Sequence, residues 1–248
     1  MLTLGITGAS SVLLSLNRTF AVEKIKQLKL ESIMSKKTIV VVGAGQGLGN
    51  HVAERFAQED FRVVLVARRS EALVEYKQEF EAKGYDVSTV ACDVTEAESV
   101  RTAFTKIHAE VGTPDVLVYN VGITTPDAQP LDENEILRHF KADVLGAFSC
   151  IKAVATDEFA EKQGAILLTG GVAAVSPFPG YTCLAIDKAA LRGLTLAMHN
   201  DLAPKGIFVG TVMVCGIIGG NEHFAPANIA EKYWQMYQER KDWEVRYE

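Results

Sequence analysis

The segment Thr38-Ile39-Val40-Val41-Val42 is followed directly by Gly43-Ala44-Gly45-Gln46-Gly47-Leu48-Gly49. The β-branched run predicts a buried strand, and the glycines after it predict a tight turn. Apolar residues then repeat at helical spacing over 50–60, and another apolar run, Arg62-Val63-Val64-Leu65-Val66, predicts a second strand. This order of strand, glycine turn, helix and strand decides the fold, because it is the first half of a parallel βαβ unit.

The glycine turn is typical of a site for the pyrophosphate of a dinucleotide. A residue without Cβ lets the backbone turn sharply and lets a phosphate approach the helix N-terminus, where free N–H groups and the helix dipole favour anions. The spacing is GxxxGxG rather than the general GxGxxG. The residues predicted to contact the dinucleotide are Gly43, Gln46, Gly47, Leu48 and Gly49. The alternative is a plain turn.

Strands and helices alternate along the remainder of the chain. The predicted helices are 50–60, 70–83, 96–111, 131–159, 180–203 and 225–239, and the predicted strands are 38–42, 62–66, 86–91, 115–119, 165–169, 207–214 and 243–247. This alternation predicts an α/β fold with a doubly wound parallel sheet of about seven strands and helices on both faces. No repeat or linker indicates a second domain.

Composition excludes several classes of protein. The chain has 248 residues, of which 48% are hydrophobic and 23% are charged, which is enough for one large α/β domain. A net charge of -6 argues against a general nucleic-acid binder, and no apolar run reaches membrane-spanning length. The 4 cysteines show no CxxC and no metal-ligand spacing, so reduced thiols in a cytoplasmic protein without a bound metal are expected.

Residues 1–35 do not continue the α/β pattern, and we expect the domain to occupy 36–248. Met34-Ser35-Lys36-Lys37 is typical of a natural start, so the preceding residues are interpreted as a disordered extension or a non-native upstream start. Acidic residues within the segment argue against a transit peptide. A short amphipathic helix over 20–31 is also predicted. Thr7-Gly8-Ala9-Ser10 lacks the later glycines of a cofactor turn, and no cofactor role is predicted for it.

The GxxxGxG turn resembles that of the short-chain dehydrogenase/reductase family, and the resemblance continues from about Lys36 to the C-terminus. Asn120-Val121-Gly122 resembles the family's NNAG motif, and Lys188 matches the lysine of its YxxxK motif, which the family uses to hold the nicotinamide ribose. Asp93, followed by Val94, matches the residue that hydrogen-bonds the adenine ring. The alternative role for Asp93 is a turn and cap before the helix at 96–111.

The resemblance implies a Rossmann-type domain that binds a nicotinamide dinucleotide and transfers a hydride. It also implies a homodimer or homotetramer paired through the helices at 131–159 and 180–203. The substrate is expected to be a small carbonyl or alcohol, and its identity cannot be read from the sequence.

The end of the second strand bears on which dinucleotide binds. An acidic residue there would hold the free ribose of NAD(H), whereas a 2′-phosphate repels that charge and favours arginine. Ala67 ends the strand, and Arg68 and Arg69 follow it directly. The sequence therefore favours NADP(H) over NAD(H). The alternative is a pair of surface arginines.

The chain departs from the family at the acid–base positions. The family uses a tyrosine as general acid, and Leu184 stands at that position, four residues before Lys188. The family serine on the fifth strand is replaced by Gly171, and the family asparagine on the preceding helix is replaced by Asp143. The proline-glycine turn beside the nicotinamide reads Val214-Cys215-Gly216. A general acid is typically worth about a hundred- to ten-thousand-fold in rate, so an ordinary alcohol dehydrogenase is not expected.

Few other residues can replace the missing groups. Tyr181 lies seven residues before Lys188, on roughly the same face if the helix starts that early, but it follows Pro179-Gly180 and a loop or rim position is the alternative. Asp143 is predicted to pair with Lys188. Residues considered and not favoured are Thr169, Cys183, Cys215 and His223.

Two hypotheses follow from the sequence. The first is an NADP(H)-dependent oxidoreductase with altered acid–base residues. The second is a catalytically inactive dinucleotide-binding sensor or scaffold with the same fold. The retained glycines, Asn120 and Lys188 favour cofactor binding in both cases, whereas Leu184 and Gly171 favour the second.

Overall fold

The computed structural model describes residues 36–248. The predictions made for residues 1–35 lie outside that range. The strands are β1 (Thr38–Val42), β2 (Arg62–Ala67), β3 (Val87–Ala91), β4 (Val116–Tyr119), β5 (Ala165–Gly171), β6 (Phe208–Val214) and β7 (Glu244–Tyr247). The helices are α1 (Leu48–Ala57), α2 (Ser70–Ala82), α3 (Ala97–Val111), α4 (Glu133–Phe140), α5 (Gly146–Val154), α6 (Asp157–Glu161), α7 (Thr182–Leu202) and α8 (Pro226–Glu239).

All seven strands form one parallel sheet in the order β3-β2-β1-β4-β5-β6-β7. The predicted doubly wound sheet is therefore confirmed. The direction of winding reverses between β1 and β4, and a crevice at the carboxyl ends of the strands is expected at such a point. The glycine turn follows β1, so it lies at this reversal.

The central strands are buried on both faces, which explains why their sequences are continuously apolar. On β1, Ile39 and Val41 lie on one face of the sheet, where they pack with residues of α1 and α8. Val40 and Val42 lie on the other face, where they pack with residues of α3 and α5. Both layers are needed to bury the sheet. The two layers therefore enclose β1, whose carboxyl end leads into the glycine turn.

The helix predicted over 131–159 is instead interrupted. A π-helical turn, Lys141–Leu145, separates α4 from α5, and α6 follows as a separate helix. The Tyr119 hydroxyl donates a hydrogen bond to the Ala142 carbonyl within this turn. Gly146 makes room for it, since a Cβ at this position would overlap the Tyr119 oxygen. The turn therefore depends on a contact with β4 that the local sequence does not reveal, and it carries Asp143.

Helix α7 begins at Thr182 rather than at the predicted residue 180. Both oxygens of the buried Asp127 carboxylate accept hydrogen bonds from backbone N–H groups of the first turn, at 2.7 Å from Thr182 and 3.0 Å from Cys183. These bonds satisfy two donors that a helix start otherwise leaves without a partner. They lower the pKa of Asp127, outweighing the rise from desolvation.

Among the helices of residues 36–248, none is long and apolar enough to cross a membrane.

Candidate functional site

The glycine turn is closely packed at two of its glycines and open at a third. Gly43 has a φ of +89°, and a Cβ on it would lie 2.7 Å from the backbone of Asn120. A Cβ on Gly49 would overlap the Gly43 carbonyl oxygen, whereas one on Gly47 would meet no atom within 4 Å. Gly43 and Gly49 therefore allow the close turn, and Gly47 leaves space above the start of α1.

The other predicted contacts in the turn differ in exposure. Gln46 is exposed, whereas the Leu48 side chain is buried in the core, so that only its backbone is available to a ligand. No side chain caps the N-terminus of α1. Its free N–H groups fit a phosphate in the space beside Gly47.

Asn120 ties the glycine turn to the neighbouring strand. Its Nδ2 donates to the Gly43 carbonyl at 3.1 Å, and its Oδ1 accepts from the Thr169 hydroxyl at 2.8 Å. That hydroxyl also lies 2.7 Å from the hydroxyl of the buried Tyr233 on α8. The Thr169 hydroxyl therefore connects β4, β5 and α8 through its hydrogen bonds. Because of these bonds, it is not a candidate for proton transfer to a substrate.

A cleft of about 640 Å³ lies at the carboxyl ends of β1, β2 and β4. Arg68 and Arg69, both exposed, are at its β2 side, and Asn120 and Gly122 are at its β4 side. Its other lining residues include Ala44, Ala72, Tyr76, Cys92, Val94, Thr95, Ile123, Thr124, Thr125 and Arg138. The cleft thus brings together the start of the glycine turn, the two arginines and the Asn120-Val121-Gly122 segment, and their contacts with a dinucleotide stay a prediction.

Asp93 lies between two lining residues of the cleft and has a structural role. Its Oδ1 accepts hydrogen bonds from Thr95, at 3.0 Å from the backbone N and 2.7 Å from Oγ1. Desolvation raises the pKa of Asp93, but these bonds and the charge of Arg68 outweigh it and hold that pKa below its usual value. The turn role of Asp93 is present in the structure, and its predicted contact with adenine stays a prediction.

Lys188 is buried beside Asp143. Its Nζ lies 3.5 Å from Asp143 Oδ1 and donates to the Thr169 carbonyl at 3.2 Å. Asp143 Oδ2 accepts from the Ile123 backbone N at 3.0 Å. Burial raises the pKa of Asp143 despite the opposing charge of Lys188. A Cβ on Gly122 would lie 3.1 Å from Lys188 Nζ, so the pair lies directly against the cleft wall.

The residues predicted to stand at the family's acid–base positions lie around Lys188. Leu184 is half-buried one turn earlier on α7, and a Cβ on Gly171 would lie 3.7 Å from Lys188 Cγ, an ordinary contact. Tyr181 precedes α7 with a φ of -131° and a ψ of 43°. The helix therefore does not start early enough for Tyr181 to share a helical face with Lys188, which agrees with the alternative of a loop or rim position, and any catalytic role for Tyr181 stays a prediction.

The cysteines and the loop histidine are in unreactive surroundings. Burial raises the pKa of Cys183 to about 11, and burial also raises the pKa of Cys215, so both thiols are protonated at neutral pH. His223 Nε2 lies 2.6 Å from the Glu248 carbonyl, and its ring stacks on Tyr247. These contacts connect His223 to the end of the chain.

Sequence reasoning missed a buried pair next to Lys188. His139 on α4 and Asp187 on α7 are both fully buried, with His139 Nδ1 at 3.5 Å from Asp187 Oδ2. His139 Nε2 lies 3.3 Å from Glu135 Oε1. The sequence signals each of these residues only as a polar residue on the core face of a helix. That signal does not show which residue is its partner.

The residues present fit a nicotinamide dinucleotide. The space beside Gly47 and the uncapped start of α1 fit a pyrophosphate, and the exposed Arg68 and Arg69 fit a phosphate on the adenosine ribose. Buried polar atoms without a hydrogen-bond partner among residues 36–248 include Asp143 Oδ1 beside Lys188. A ribose hydroxyl is a suitable donor for that oxygen.

The sheet order, the glycine turn and the cleft above β1 together define a Rossmann-type dinucleotide-binding fold. Residues 37–226 match the family model described as short chain dehydrogenase. The chain belongs to this family of oxidoreductases.

Known proteins are similar to the chain in sequence and structure. The 3-oxoacyl-(acyl-carrier-protein) reductase FabG of Staphylococcus aureus is 30% identical over 181 residues, which cover 71% of this chain and 72% of the relative. An alcohol dehydrogenase of the archaeon Thermococcus sibiricus, solved with 5-hydroxy-NADP, has a TM-score of 0.77 at 22% identity and covers 86% of this chain and 96% of its own. A variant of actinorhodin polyketide ketoreductase, solved with NADPH, has a TM-score of 0.79 at 20% identity, with the same two coverages. The two structures show the shared fold.

Proposed function

We propose that this protein binds NADP(H) and transfers a hydride to or from a small carbonyl or alcohol, with acid–base groups that differ from those of its family. The preference for NADP(H) is supported by Arg68 and Arg69, which line the cleft directly after Ala67, where an acidic residue would favour NAD(H). Two arginines in a chain of net charge -6 make this part of the cleft suitable for an additional phosphate.

The observation that carries the proposal is the buried Lys188 beside Asp143, at 3.5 Å. When bound, the cofactor supplies the hydride that the carbonyl carbon receives in the reducing direction. The oxygen of that carbonyl needs a proton, and Lys188 Nζ, which carries N–H groups, lies next to Gly122 in the wall of the cleft. Asp143 lies beside this nitrogen, and both side chains are buried. Lys188 is therefore assigned the role of proton donor that the family gives to a tyrosine.

A sensor or scaffold without catalytic activity is the second candidate. Leu184 and Gly171 carry no proton, and the Thr169 hydroxyl is already bonded to Asn120 and Tyr233. Such a protein would keep the cleft for the dinucleotide and bind it without turnover.

One experiment separates these two functions. The protein is titrated with NADPH and with NADH by calorimetry, and nicotinamide absorbance is then followed with a panel of small aldehydes and ketones. The oxidoreductase is expected to bind NADPH more tightly than NADH and to oxidise it with at least one carbonyl. Binding of NADPH without oxidation by any of them would favour the sensor, and binding of neither nucleotide would contradict both functions.

We also propose a homodimer or homotetramer built on α5 and α7. Large apolar side chains exposed on this part of the molecule are Leu145, Phe148, Ile186 and Leu196. Apolar groups presented by neighbouring helices favour association between copies. Light scattering after size exclusion is expected to give a multiple of 27.0 kDa. A cytoplasmic location is proposed from the cysteines, which are all free.

A further inference from the structure

Two loops begin beside Lys188 at the carboxyl edge of the sheet. Gly171 and Val214 are the last residues of β5 and β6, and they are partners in the ladder between these strands. A Cβ on Gly171 would lie 3.7 Å from Lys188 Cγ, so β5 ends next to the lysine stem. The β5 loop is residues 172–181, and the β6 loop is residues 215–225. Both loops therefore leave the sheet close to the proposed proton donor.

The segments around this place carry no charged side chain. The chain is 23% charged, yet residues 163–186 and 215–221 contain no Asp, Glu, Lys, Arg or His. Residues 116–126, which include Gly122 beside Lys188 Nζ, contain none either. A charged substrate group between the two loops would therefore find no opposite charge on these segments. Removing a charge from water without such a partner is very costly.

The cations that border the cleft are already engaged or lie further away. Lys188 Nζ lies 3.5 Å from Asp143 Oδ1. Arg138 donates from Nε and Nη2 to the Glu135 carboxylate, at 2.9 Å and 2.7 Å. The two arginines after β2 are separated from β5 by β1 and β4, which places the strand ends about 14 Å apart. An anionic substrate group beside Lys188 would therefore have to displace a carboxylate that is already in place.

Large apolar side chains of both loops are exposed. Val175 and Phe178 of the β5 loop are 49% and 46% exposed, and Ile217 and Ile218 of the β6 loop are 80% and 39% exposed. Single exposed apolar side chains are ordinary on a protein surface. Several of them on two loops that begin side by side are typical of a binding site for an apolar group.

The β6 loop is folded back on itself without covering its isoleucines. The Gly219 N–H donates to the Phe224 carbonyl at 2.8 Å, and the Phe224 N–H donates to Asn221 Oδ1 at 2.9 Å. The Phe224 ring lies directly against Gly216, where a Cβ would overlap it. Phe224 therefore fills the inside of the loop, and Ile217 remains available to an apolar ligand.

We propose that the substrate is a neutral ketone, aldehyde or alcohol with an extended apolar group that lies between the β5 loop and the β6 loop. This inference rests on the proposed function and deepens it by naming the class of substrate. The reacting oxygen lies at Lys188, and the apolar group covers the exposed side chains of the two loops. Burial of that group contributes to affinity in proportion to the apolar area removed from water. An acidic group on it is disfavoured, because the loops leave that charge without a partner.

The test measures binding without turnover. The full chain is first saturated with NADP⁺, because an oxidised nucleotide cannot reduce a ketone. It is then titrated by calorimetry with 2-pentanone, 2-heptanone and 2-nonanone, and with 8-oxononanoate, which carries a carboxylate in place of the last methyl group of 2-nonanone. The dissociation constant of the ketones is expected to fall by about two- to fourfold per methylene group. The carboxylate is expected to bind more weakly than 2-nonanone by about tenfold or more.

A cation placed on the β6 loop is expected to change this preference. Ile217→Lys alters an exposed position and should reduce the preference for 2-nonanone over 8-oxononanoate by about tenfold. Ile217→Gln is a matched change without charge. Val74→Lys places the same charge at a position of α2 that is 56% exposed. Both control variants are expected to keep the preference for the neutral ketone.

Three results would overturn the inference. The first is a complex with NADP⁺ that binds no ketone or binds all three equally well. The second is binding of 8-oxononanoate as tight as that of 2-nonanone. The third is an Ile217→Lys variant that binds every ligand as the unaltered protein does but dissociates an oligomer in light scattering, because the apolar residues would then form a contact between copies. Failure of NADP⁺ to bind would instead contradict the proposed function.

Discussion

The ammonium nitrogen of Lys188 lies 3.5 Å from the Oδ1 atom of Asp143, and both side chains are buried. From the family resemblance, the sequence predicts that Asp143 stands at the position of an asparagine, which would give the lysine a charged partner instead of a neutral one. It also predicts that the family's tyrosine and serine are absent from this region. On these predictions, the Asp143–Lys188 pair is the main chemical difference between this site and that of its family.

Replacing Asp143 with asparagine is expected to destabilise the protein. The substitution leaves the buried Lys188 ammonium without its counterion, and breaking a buried pair typically costs about 3 kcal/mol or more. Urea unfolding at pH 7 measures the loss in free energy of unfolding, with the exposed Asp201→Asn as control. An Asp143→Asn variant as stable as the unaltered protein would show that the pair has no net effect on stability.

Two glycine substitutions are expected to have different effects. Gly49→Ala is expected to lower the melting temperature and abolish nucleotide binding, because its Cβ overlaps the Gly43 carbonyl. Gly47→Ala has open space for its methyl group and is expected to keep the melting temperature. It should nevertheless weaken NADPH binding by about tenfold or more, since that methyl group occupies the proposed phosphate space. Calorimetry and thermal unfolding measure both effects, and equal binding by Gly47→Ala and the unaltered protein would contradict the assignment.

The nucleotide preference is expected to depend on the residues after β2. Loss of charge-assisted hydrogen bonds to a phosphate costs about 1.5–3 kcal/mol, so Arg68→Ala with Arg69→Ala should weaken NADPH binding by about ten- to a hundredfold. NADH binding should change little. Ala67→Asp is expected to shift the preference towards NADH, and Ala67→Asn is its uncharged control. Equal losses for NADPH and NADH in the double variant would mean that the arginines do not contact the 2′-phosphate.

Restoring the family's acid–base groups is expected to increase activity. The Cβ of a serine at position 171 makes ordinary contacts with the Lys188 stem, and a tyrosine at position 184 lies one helical turn before Lys188. Leu184→Tyr combined with Gly171→Ser should raise kcat/KM by about a hundredfold or more for any carbonyl that the protein reduces. Leu184→Phe with Gly171→Ala fills the same space without hydroxyl groups. An equal gain in both double variants would show that packing, rather than proton transfer, is responsible.

The stability of the protein is expected to fall between about pH 4 and pH 7 because of Asp187. Its pKa is raised by burial to about 7, so over this range the folded state binds a proton that the unfolded state has lost. The stabilisation from this proton is fully present below the pKa that Asp187 has in the unfolded state. It is lost as the pH rises through the pKa that Asp187 has in the folded state. Asp187→Asn removes the titration and is expected to stabilise the protein at pH 8 by about 2–4 kcal/mol. Urea unfolding from pH 5 to pH 8 measures the difference, and parallel pH profiles for the two proteins would contradict this assignment.

The fold could be predicted because its signals are local. The β-branched run of β1, the glycines after it and the second run of β2 each specify a short segment, and alternation of strands and helices then fixes a parallel sheet. The residues that line the cleft could be located from the sequence for the same reason. They follow the carboxyl ends of strands, which a parallel sheet places along one edge.

The parts that could not be predicted depend on contacts between distant segments. The π-helical turn at Asp143 requires Tyr119 from β4, and the start of α7 is fixed by Asp127 from a preceding loop. The His139–Asp187 pair joins two helices whose relative rotation no sequence pattern specifies. Asp143 and Lys188 were predicted to pair only because the family resemblance assigned both to the same site.

A crystal structure of the protein soaked with NADPH tests the central claim most directly. The account predicts density for the pyrophosphate beside Gly47, for the 2′-phosphate at Arg68 and Arg69, and for the nicotinamide ribose next to Lys188, with no side-chain hydroxyl near the Lys188 amine. Absence of nucleotide density above residues 43–49, or a hydroxyl group such as that of Tyr181 placed beside Lys188, would contradict it.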